Sequence, residues 1–339
     1  MGWFEQLREP VFLKENSDAC RQLQVLQQLA SQLTTEGQEL LFQDIRALEY
    51  GILGERQIAY ELKNSHMPMY ILHDICLEDE GLCAQIDYIA VTRKICFIIE
   101  CKNLYGDIEI DSRGDFYRIM EIGGQKKKEA IYSPVTQNEH HLELLKTIRL
   151  KGQLPLFRGM AERRFARRVQ SVVVLANPKT VLYSREAPQE IREHVIRADQ
   201  LVAYLRRQYQ ISGESELSDK KIRAQAKAIL LLHQEKEKNY LWKYQPYWIG
   251  GQKNIGGRRT DQPAQEELLK ALRVYRWNKS QEEGIKPYLI YNDKQMADLM
   301  EKMPQNAQEL LQVSGFGEVK VKKYGRELLA ILREFCGKC

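Results

Sequence analysis

Three segments with an apolar period of two follow one another between residues 69 and 102, and they constrain the fold most strongly. The pattern predicts strands over Met69–Leu77, Ala84–Val91 and Ile95–Lys102. Tight turns at residues 78–81 and 92–94 separate these strands, and strands joined by short turns pair as antiparallel hairpins. The segment therefore predicts the hairpin-connected part of a β-sheet.

Helical patterns surround these strands. Leucines at three- and four-residue spacing predict that the first sixty residues are helical, with a second helix beginning near Gln38. Gly51 and Gly54 interrupt that helix at a cost of about 1 kcal/mol each, so they predict close packing or a close approach of the backbone. Later strand and helix patterns alternate over Gly106–Ile110, Gln137–Arg149, Val169–Ala176 and Asp199–Tyr209. This order predicts an α/β (α+β) domain whose mixed sheet is flanked by helices.

Composition and cysteine usage exclude several classes of protein. The chain is 43% hydrophobic and 29% charged, which is sufficient for a core and untypical of disorder. No apolar run approaches the roughly 20 residues of a membrane span, and the N-terminus does not have the pattern of a signal peptide. We therefore expect no membrane partner and a cytoplasmic location. Cys336 and Cys339 have the spacing of half a zinc site, but we interpret them as a reduced tail.

The net charge of +5 conceals an uneven distribution. Residues 1–101 carry 8 Lys and Arg against 16 Asp and Glu, whereas residues 102–168 carry 14 against 9. A basic region after an acidic one indicates a polyanionic partner, although ordinary solvated surface explains the composition equally well. Two basic runs could hold phosphates, and each taken singly is more often a solvated face. They comprise Lys126, Lys127 and Lys128, and then Arg163, Arg164, Arg167 and Arg168.

Charged residues interrupt the apolar strand patterns at Asp87, Glu100 and Lys102. Strand alternation puts Glu100 and Lys102 on one face, and Asp87 belongs to the preceding strand about 5 Å away. Converging carboxylates repel each other unless a divalent cation lies between them, and their hard oxygen atoms suit Mg²⁺ or Mn²⁺. Such a metal activates water toward a phosphoryl group, and a neighbouring lysine can orient that water. From the spacing alone, a solvent-facing Glu–Lys pair on an edge strand, with Asp87 in a turn, remains the alternative.

These residues resemble the nuclease-related (NERD) domains of the PD-(D/E)xK nuclease superfamily. Asp87 and the Glu100-Cys-Lys102 step carry the resemblance, and Asn103, Gly106 and Ile108 continue it. Two helix motifs add to it, namely Gly51-Ile-Leu-Gly54-Glu55 and Ser133-Pro-Val-Thr-Gln137, where the family has Asn in place of Ser133. The resemblance spans roughly residues 37–210 and implies a restriction-endonuclease-like fold.

The same resemblance implies the roles of five residues. Glu55, Asp87 and Glu100 would be ligands of Mg²⁺ or Mn²⁺, Lys102 would position the attacking water, and Gln137 would support the site. Ordinary structural roles stay open as alternatives for two of these residues. Glu55 could be a surface partner of Arg56 or of a nearby lysine, and Gln137 an ordinary residue at a helix N-terminus.

From Pro263 onward the chain is again helical and long enough for a small bundle of its own. Asp293 is expected to cap the helix that begins at Lys294, and a Gly315-Phe-Gly317 turn precedes a basic helix. This order resembles an HRDC domain over roughly Gln265–Phe335, which implies nucleic-acid binding or, in some members, protein contacts. The residues predicted to contact DNA are Lys320, Lys322, Lys323 and Arg326, and an ordinary bundle with solvated lysines is the alternative.

Together these patterns predict four segments. They are an N-terminal helical segment (1–36), a NERD nuclease-like domain (37–212), a helix with a basic linker (213–262) and an HRDC-like nucleic-acid-binding domain (263–339). The predicted function is that of a metal-dependent deoxyribonuclease acting on single-stranded, duplex or branched DNA. The alternative is a non-catalytic DNA-binding adaptor that recruits a helicase or repair partner. RNA as substrate stays open, and no P-loop motif for ATP-driven translocation is present.

Overall fold

The computed structural model describes residues 6–235, 240–249, 263–283 and 290–335. The chain divides into two compact units, Met1–Gln252 and Lys253–Cys339. Cys336 and Cys339, predicted to form a reduced tail, lie outside the described residues. Within the described ranges, no helix is both long and apolar enough to cross a membrane.

The first unit contains ten strands and seven α-helices in its described residues. The strands are Pro10–Lys14 (β1), Met69–Asp79 (β2), Leu82–Val91 (β3), Cys96–Lys102 (β4), Asp107–Ile110 (β5), Phe116–Ile122 (β6), Gln125–Ile131 (β7), Val169–Leu175 (β8), Leu182–Tyr183 (β9) and Val195–Arg197 (β10). The helices are Asp18–Gln27 (α1), Thr35–Lys63 (α2), Pro134–Leu150 (α3), Pro155–Arg168 (α4), Gln189–Arg192 (α5), Leu201–Ile211 (α6) and Asp219–Leu230 (α7).

A mixed six-stranded sheet forms the centre of this unit, in the order β1-β2-β3-β4-β8-β10. The strands β2, β3 and β4 pair antiparallel as predicted, whereas β1 joins β2, β8 joins β4 and β10 joins β8 in parallel. Helices α3, α4 and α7 pack on one face of the sheet, and α2 and α6 pack on the other. The mixed α/β fold flanked by helices is therefore confirmed.

The β2–β3 hairpin changes face near Asp87. Ile86 packs on the α3 face and Tyr88 on the α2 face, although residues two apart in a regular strand share one face. Across the hairpin from this point, Asp74 has a positive φ of 57°. The pairing of β3 with β4 ends at Tyr88 and Ile99. The end of β4 and Asp87 therefore lie beside each other where the regular ladder stops.

A smaller sheet in the order β7-β6-β5-β9 packs beside the main one. Ile108, Ile110 and Phe116 from this sheet form a cluster with Val173 and Leu175 of β8. Its outer hairpin, β6–β7, occupies a region to which the sequence patterns assign no strand.

The structure corrects two predictions about segments outside the central domain. The first sixty residues are not all helical, because Pro10–Lys14 forms β1 along β2. The predicted linker packs on the first unit where it is described, because Tyr244 is buried against α1 and α2. In the same segment the predicted helix is present as α7, and its Ile222 is buried in the main core. Apolar side chains at helical spacing in α7 explain this packing. Residues 236–239 and 250–262 of that segment lie outside the described residues.

The second unit is a small helical bundle, as predicted. Its helices are Pro263–Glu282 (α8), Asp293–Lys302 (α9), Ala307–Leu310 (α10) and Glu318–Phe335 (α11). Tyr291 is fully buried in its core beside Phe316. The cap of α9 is Asn292 rather than Asp293, because the Asn292 side chain accepts a 2.9 Å hydrogen bond from the Gln295 amide.

Candidate active site

The strand β4 directs Glu100 and Lys102 toward α3. The Lys102 Nζ atom lies 2.6 Å from Oε1 of Glu100 and 3.0 Å from Oε1 of Gln137. Because β4 lies between β3 and β8 and Glu100 is only 2% exposed, the alternative of a solvent-facing pair on an edge strand is wrong. The structure thus brings together three of the five predicted site residues by direct contact.

Asp87 is the fourth predicted residue, and it lies on β3 rather than in a turn. Its Oδ2 atom accepts a 2.7 Å hydrogen bond from the amide of Cys101 on β4. Burial, and next the negative charges of Glu100 and Glu55, raise the pKa of Asp87 well above its ordinary value, against that hydrogen bond and the charge of Lys102. Asp87 therefore lies within electrostatic reach of both other predicted metal ligands.

Glu55 approaches this group from α2. Its Oε2 atom lies 2.9 Å from Nε2 of His73, which stacks on the Tyr88 ring with a centroid distance of 4.4 Å. The Tyr88 hydroxyl in turn donates a 2.9 Å hydrogen bond to the backbone carbonyl of Glu55. The side chain of Glu55 thus pairs with a buried histidine on the sheet, not with Arg56 or a lysine.

A close helix–strand approach positions Glu55. A Cβ atom added at Gly54 would lie 2.5 Å from the Cβ atom of Asn103, just after β4. The Asn103 side chain also donates a 2.6 Å hydrogen bond to the carbonyl of Tyr50. At Gly51 an added Cβ would meet nothing within 4 Å, so only one of the two glycines has the predicted role in close packing.

Sequence reasoning missed two polar residues of α3 beneath the site. His141 Nδ1 lies 3.4 Å from Oε2 of Glu100, and in the described part of the chain neither atom has a hydrogen-bond partner. The buried Asn138 side chain donates hydrogen bonds to the carbonyls of Ile98 on β4 (3.2 Å) and Val172 on β8 (3.1 Å). The available signal was spacing, because His141 follows Gln137 by one helical turn on the same face.

The environment of Glu100 favours its charged form. Burial works against ionisation, but His141 and the ammonium of Lys102 outweigh it and lower the pKa of Glu100. The pKa values of the two neighbouring carboxyls, Asp87 and Glu100, are therefore shifted in opposite directions. Such a pair of titratable groups is typical of functional sites.

The carboxylates predicted to supply oxygen ligands to a metal are those of Glu55, Asp87 and Glu100. Each has a protein partner: the His73 ring, the Cys101 amide and the Lys102 ammonium. Across the described ranges, no group of three or more His, Cys, Asp or Glu side chains is arranged as a metal-binding cluster. The Oε2 atom of Glu100 is buried and has no hydrogen-bond partner within the described residues.

The predicted lysines 126–128 lie on β7, the exposed edge of the small sheet. Lys127 pairs with Glu129 at 3.4 Å and Lys128 with Glu109 at 2.9 Å. Lys128 also lies over the ring of Tyr117 at 4.4 Å. Among the residues that the structure covers, Lys126 is the member of this run without an ion pair.

In the second unit the four predicted cations differ in environment. Lys322 and Arg326 are exposed on α11, whereas Lys323 pairs with Glu283 at 2.6 Å. Lys320 is half-buried near the Phe316 ring, and burial lowers its pKa. Lys323 is exposed too but is held by this ion pair, so Lys322 and Arg326 are the cations most available to a ligand.

Comparison with known proteins agrees with this architecture. The family model of the nuclease-related domain matches residues 50–176, a range that contains all five predicted site residues. The HRDC domain model matches residues 265–332. The chain contains a nuclease-related domain followed by an HRDC domain. Both resemblances predicted from the sequence motifs are thereby confirmed.

Similarity to individual proteins covers less of the chain. The ATP-dependent DNA helicase RecQ of Haemophilus influenzae is 30% identical over 69 residues, which are 20% of this chain and 11% of the helicase. The RecQ helicase of Bacillus subtilis is 34% identical over 70 residues, 21% of this chain and 12% of the helicase. The chain thus matches only a small part of the length of these curated relatives. The solved structure of D. radiodurans RecQ HRDC domain 3 is 25% identical, covers 22% of this chain and 96% of that chain, and has a TM-score of 0.21.

Proposed function

We propose that the chain is a divalent-metal-dependent nuclease that hydrolyses DNA phosphodiester bonds, and that its HRDC domain binds nucleic acid. One observation carries this proposal. The negative charges of Glu55 and Glu100 act on the carboxyl of Asp87. Next to it, the ammonium of Lys102 contacts both Glu100 and Gln137. Carboxylates that repel one another beside a fixed ammonium suit the hydrolysis of a phosphate ester.

Mg²⁺ or Mn²⁺ fits the chemistry of these donors. A cation near Glu100 Oε2 would give that buried oxygen a partner and would relieve the repulsion that raises the pKa of Asp87. Glu55, Asp87 and Glu100 are the residues proposed to hold it. When bound, the metal would polarise a phosphoryl oxygen and lower the pKa of a water ligand.

The other residues would orient the attacking water and support the side chains of the site. Lys102 would hold the attacking water and offset negative charge on the phosphoryl group, and Gln137 would fix the direction of its ammonium. His141 would keep the Glu100 carboxylate turned toward the site, given its position 3.4 Å from Oε2. Asn138 would fix α3 against β4 and β8, because its amide bonds to both strands.

The test is cleavage of single-stranded, duplex, flap and junction DNA by the full chain with Mg²⁺, Mn²⁺ or chelator. Glu100→Ala and Lys102→Ala should each reduce the rate by at least about a hundredfold. Glu139→Ala, an exposed neighbour of the site on α3, is the matched control and should cleave like the unmodified chain. Metal-dependent cleavage that both site variants retain in full would remove the proposal.

A second function, a non-catalytic DNA-binding adaptor that recruits a helicase or repair partner, has its own supporting observation. Each proposed metal ligand already has one partner within the protein, namely the His73 ring, the Cys101 amide or the Lys102 ammonium. An adaptor would bind DNA equally well in chelator and in Mg²⁺, and would yield no products after long incubation.

In either function, Lys322→Glu with Arg326→Glu should weaken DNA binding through the HRDC domain, and the weakening should diminish at high salt.

A further inference from the structure

The helix α4 has one face on the protein core and an unusually apolar face toward solvent. Phe165 anchors it in the core on the α3 side of the main sheet. Leu156 is 85% exposed, Met160 64% and Phe157 49%. Leu154, the residue that precedes the helix, is 65% exposed. Large apolar side chains clustered at this level of exposure mark an interaction site more often than ordinary surface.

The exposed face continues into arginines. At about 100° per residue, the side of α4 opposite Phe165 carries Leu156, Met160, Arg163 and Arg167. Phe157 and Arg164 lie together on one flank of this face, about 80–100° from Phe165. A single helical face therefore presents apolar groups in its first turns and guanidinium groups in its last turns.

The charge of this face is strongly positive and only partly neutralised. Residues 151–168 contain six Lys and Arg against one Glu. Arg167 pairs with Glu214 at 2.8 Å. Arg163 donates to the carbonyl of Gly159, and within the described residues neither Arg163 nor Arg164 contacts a carboxylate. Two guanidinium groups next to the apolar cluster thus remain available for an anionic partner.

We propose that this face of α4 binds an acidic peptide segment of a partner protein, with apolar side chains of the peptide on Leu156, Phe157 and Met160 and its carboxylates on Arg163 and Arg164. Charge complementarity selects an acidic partner, and exposed apolar area supplies the anchor. A peptide is favoured over nucleic acid because Leu156 and Met160 are aliphatic, and Phe157 alone of the three offers a ring on which a base can stack. It is favoured over a lipid surface because the cations share the apolar face, whereas helices that lie on membranes carry them on the opposite, polar face.

The test begins with a selection that does not presuppose the sequence of the ligand. A library of short random peptides is selected in parallel against the immobilised full chain and against an Arg163→Glu/Arg164→Glu variant. The unmodified chain should enrich peptides that combine Asp or Glu with Leu, Phe, Ile or Met, and the variant should not. Enrichment of peptides without acidic residues, or the same peptides with both baits, would overturn the proposal.

The most enriched peptide is then synthesised with a fluorescent label, and its affinity is measured by anisotropy. Leu156→Ser/Met160→Ser and Arg163→Glu/Arg164→Glu should each weaken binding by at least about tenfold. Arg185→Glu/Arg192→Glu, which alters exposed arginines elsewhere on the same unit, is the matched control and should bind normally. Circular dichroism melting should be unchanged in all three, since every altered side chain is exposed.

Two further probes decide between classes of ligand. Oligothymidylate and vesicles with a high content of phosphatidylglycerol are titrated against the same variants. The proposal stands if the α4 substitutions reduce peptide binding more than binding to either probe. It falls if oligothymidylate or vesicles lose more affinity than the peptide. None of these measurements depends on cleavage, so the outcome is independent of the proposed nuclease activity.

Discussion

The Nζ atom of Lys102 lies 2.6 Å from Oε1 of Glu100, two positions earlier on the same face of β4. The same ammonium lies 3.0 Å from Oε1 of Gln137 at the start of α3. One cation therefore joins a buried carboxylate of the sheet to a helix that packs against it. The direction of the lysine is fixed from two elements, and loss of either contact should be measurable.

Gln137→Ala should reduce DNA cleavage between about ten- and a hundredfold, because Lys102 would then be held from one side only. The concentration of Mg²⁺ at half-maximal rate should change little, since Gln137 is not among the proposed metal ligands. Initial rates at several metal concentrations separate the two effects. A normal rate with weaker metal dependence would contradict the positioning role.

Asn138→Ala should destabilise the nuclease-related domain by about 2 kcal/mol, because two buried backbone carbonyls lose their hydrogen bonds. The measurement is urea unfolding followed by circular dichroism, with the transition of this domain fitted separately. Glu139→Ala on the exposed side of α3 should stay within about 0.5 kcal/mol of the unmodified chain. Equal midpoints for the two variants would show that the Asn138 bridge contributes nothing.

Gly54→Ala and Gly51→Ala form a matched pair on α2. The added methyl at Gly54 would lie 2.5 Å from the Cβ atom of Asn103, so the helix must shift, and both stability and cleavage should fall. The methyl at Gly51 meets nothing within 4 Å, so it should stabilise the helix by about 0.5–1 kcal/mol. Thermal melting of both variants checks the sign. A loss of stability at Gly51 equal to that at Gly54 would contradict the close approach.

The contacts around Glu100 show how far the sequence predicts this site. Alternation on β4 predicts that Glu100 and Lys102 share a face, and the motif resemblance adds Asp87, Glu55 and Gln137. The pairing of Glu55 with His73 was not predictable, because it depends on the change of face in the β2–β3 hairpin, where Asp74 has a positive φ. That irregularity has no signature in an apolar period of two.

The sequence patterns also failed to predict three regular elements, β7, α4 and β1. The strand β7 reads Gln-Lys-Lys-Lys-Glu-Ala-Ile and is exposed over most of its length, so it has no apolar alternation to detect. The helix α4 has one buried apolar anchor, Phe165, and its other apolar residues face solvent. Strand β1 is short, and its partner in the parallel pairing is nearly sixty residues away. A local pattern of apolar and polar residues cannot reveal such long-range pairing.

Asp87→Asn should stabilise the metal-free protein at neutral pH. Burial, and next the Glu100 carboxylate, raise the pKa of Asp87 in the folded state. A carboxyl with a raised pKa contributes most stability below its unfolded pKa of about 3.9, and this contribution falls as the pH rises toward the folded pKa. Asn keeps an acceptor for the Cys101 amide without the charge. In chelator, the variant should therefore melt above the unmodified chain near neutral pH, and the difference should vanish toward pH 4.

Asp74→Asn is the control of opposite sign. Burial disfavours the charge of Asp74, but the Asp18 amide, the ammonium of Lys14 and the Gln85 amide outweigh it and lower the pKa. This carboxyl contributes stability above its unfolded pKa of about 3.9 and loses that contribution as the pH falls through the folded value. The variant should thus melt below the unmodified chain at neutral pH.

Added Mg²⁺ should raise the melting temperature of the unmodified chain and of Asp74→Asn more than that of Asp87→Asn, since ligand binding stabilises only a folded state that retains the site. Equal shifts in all three proteins would place the metal away from Asp87.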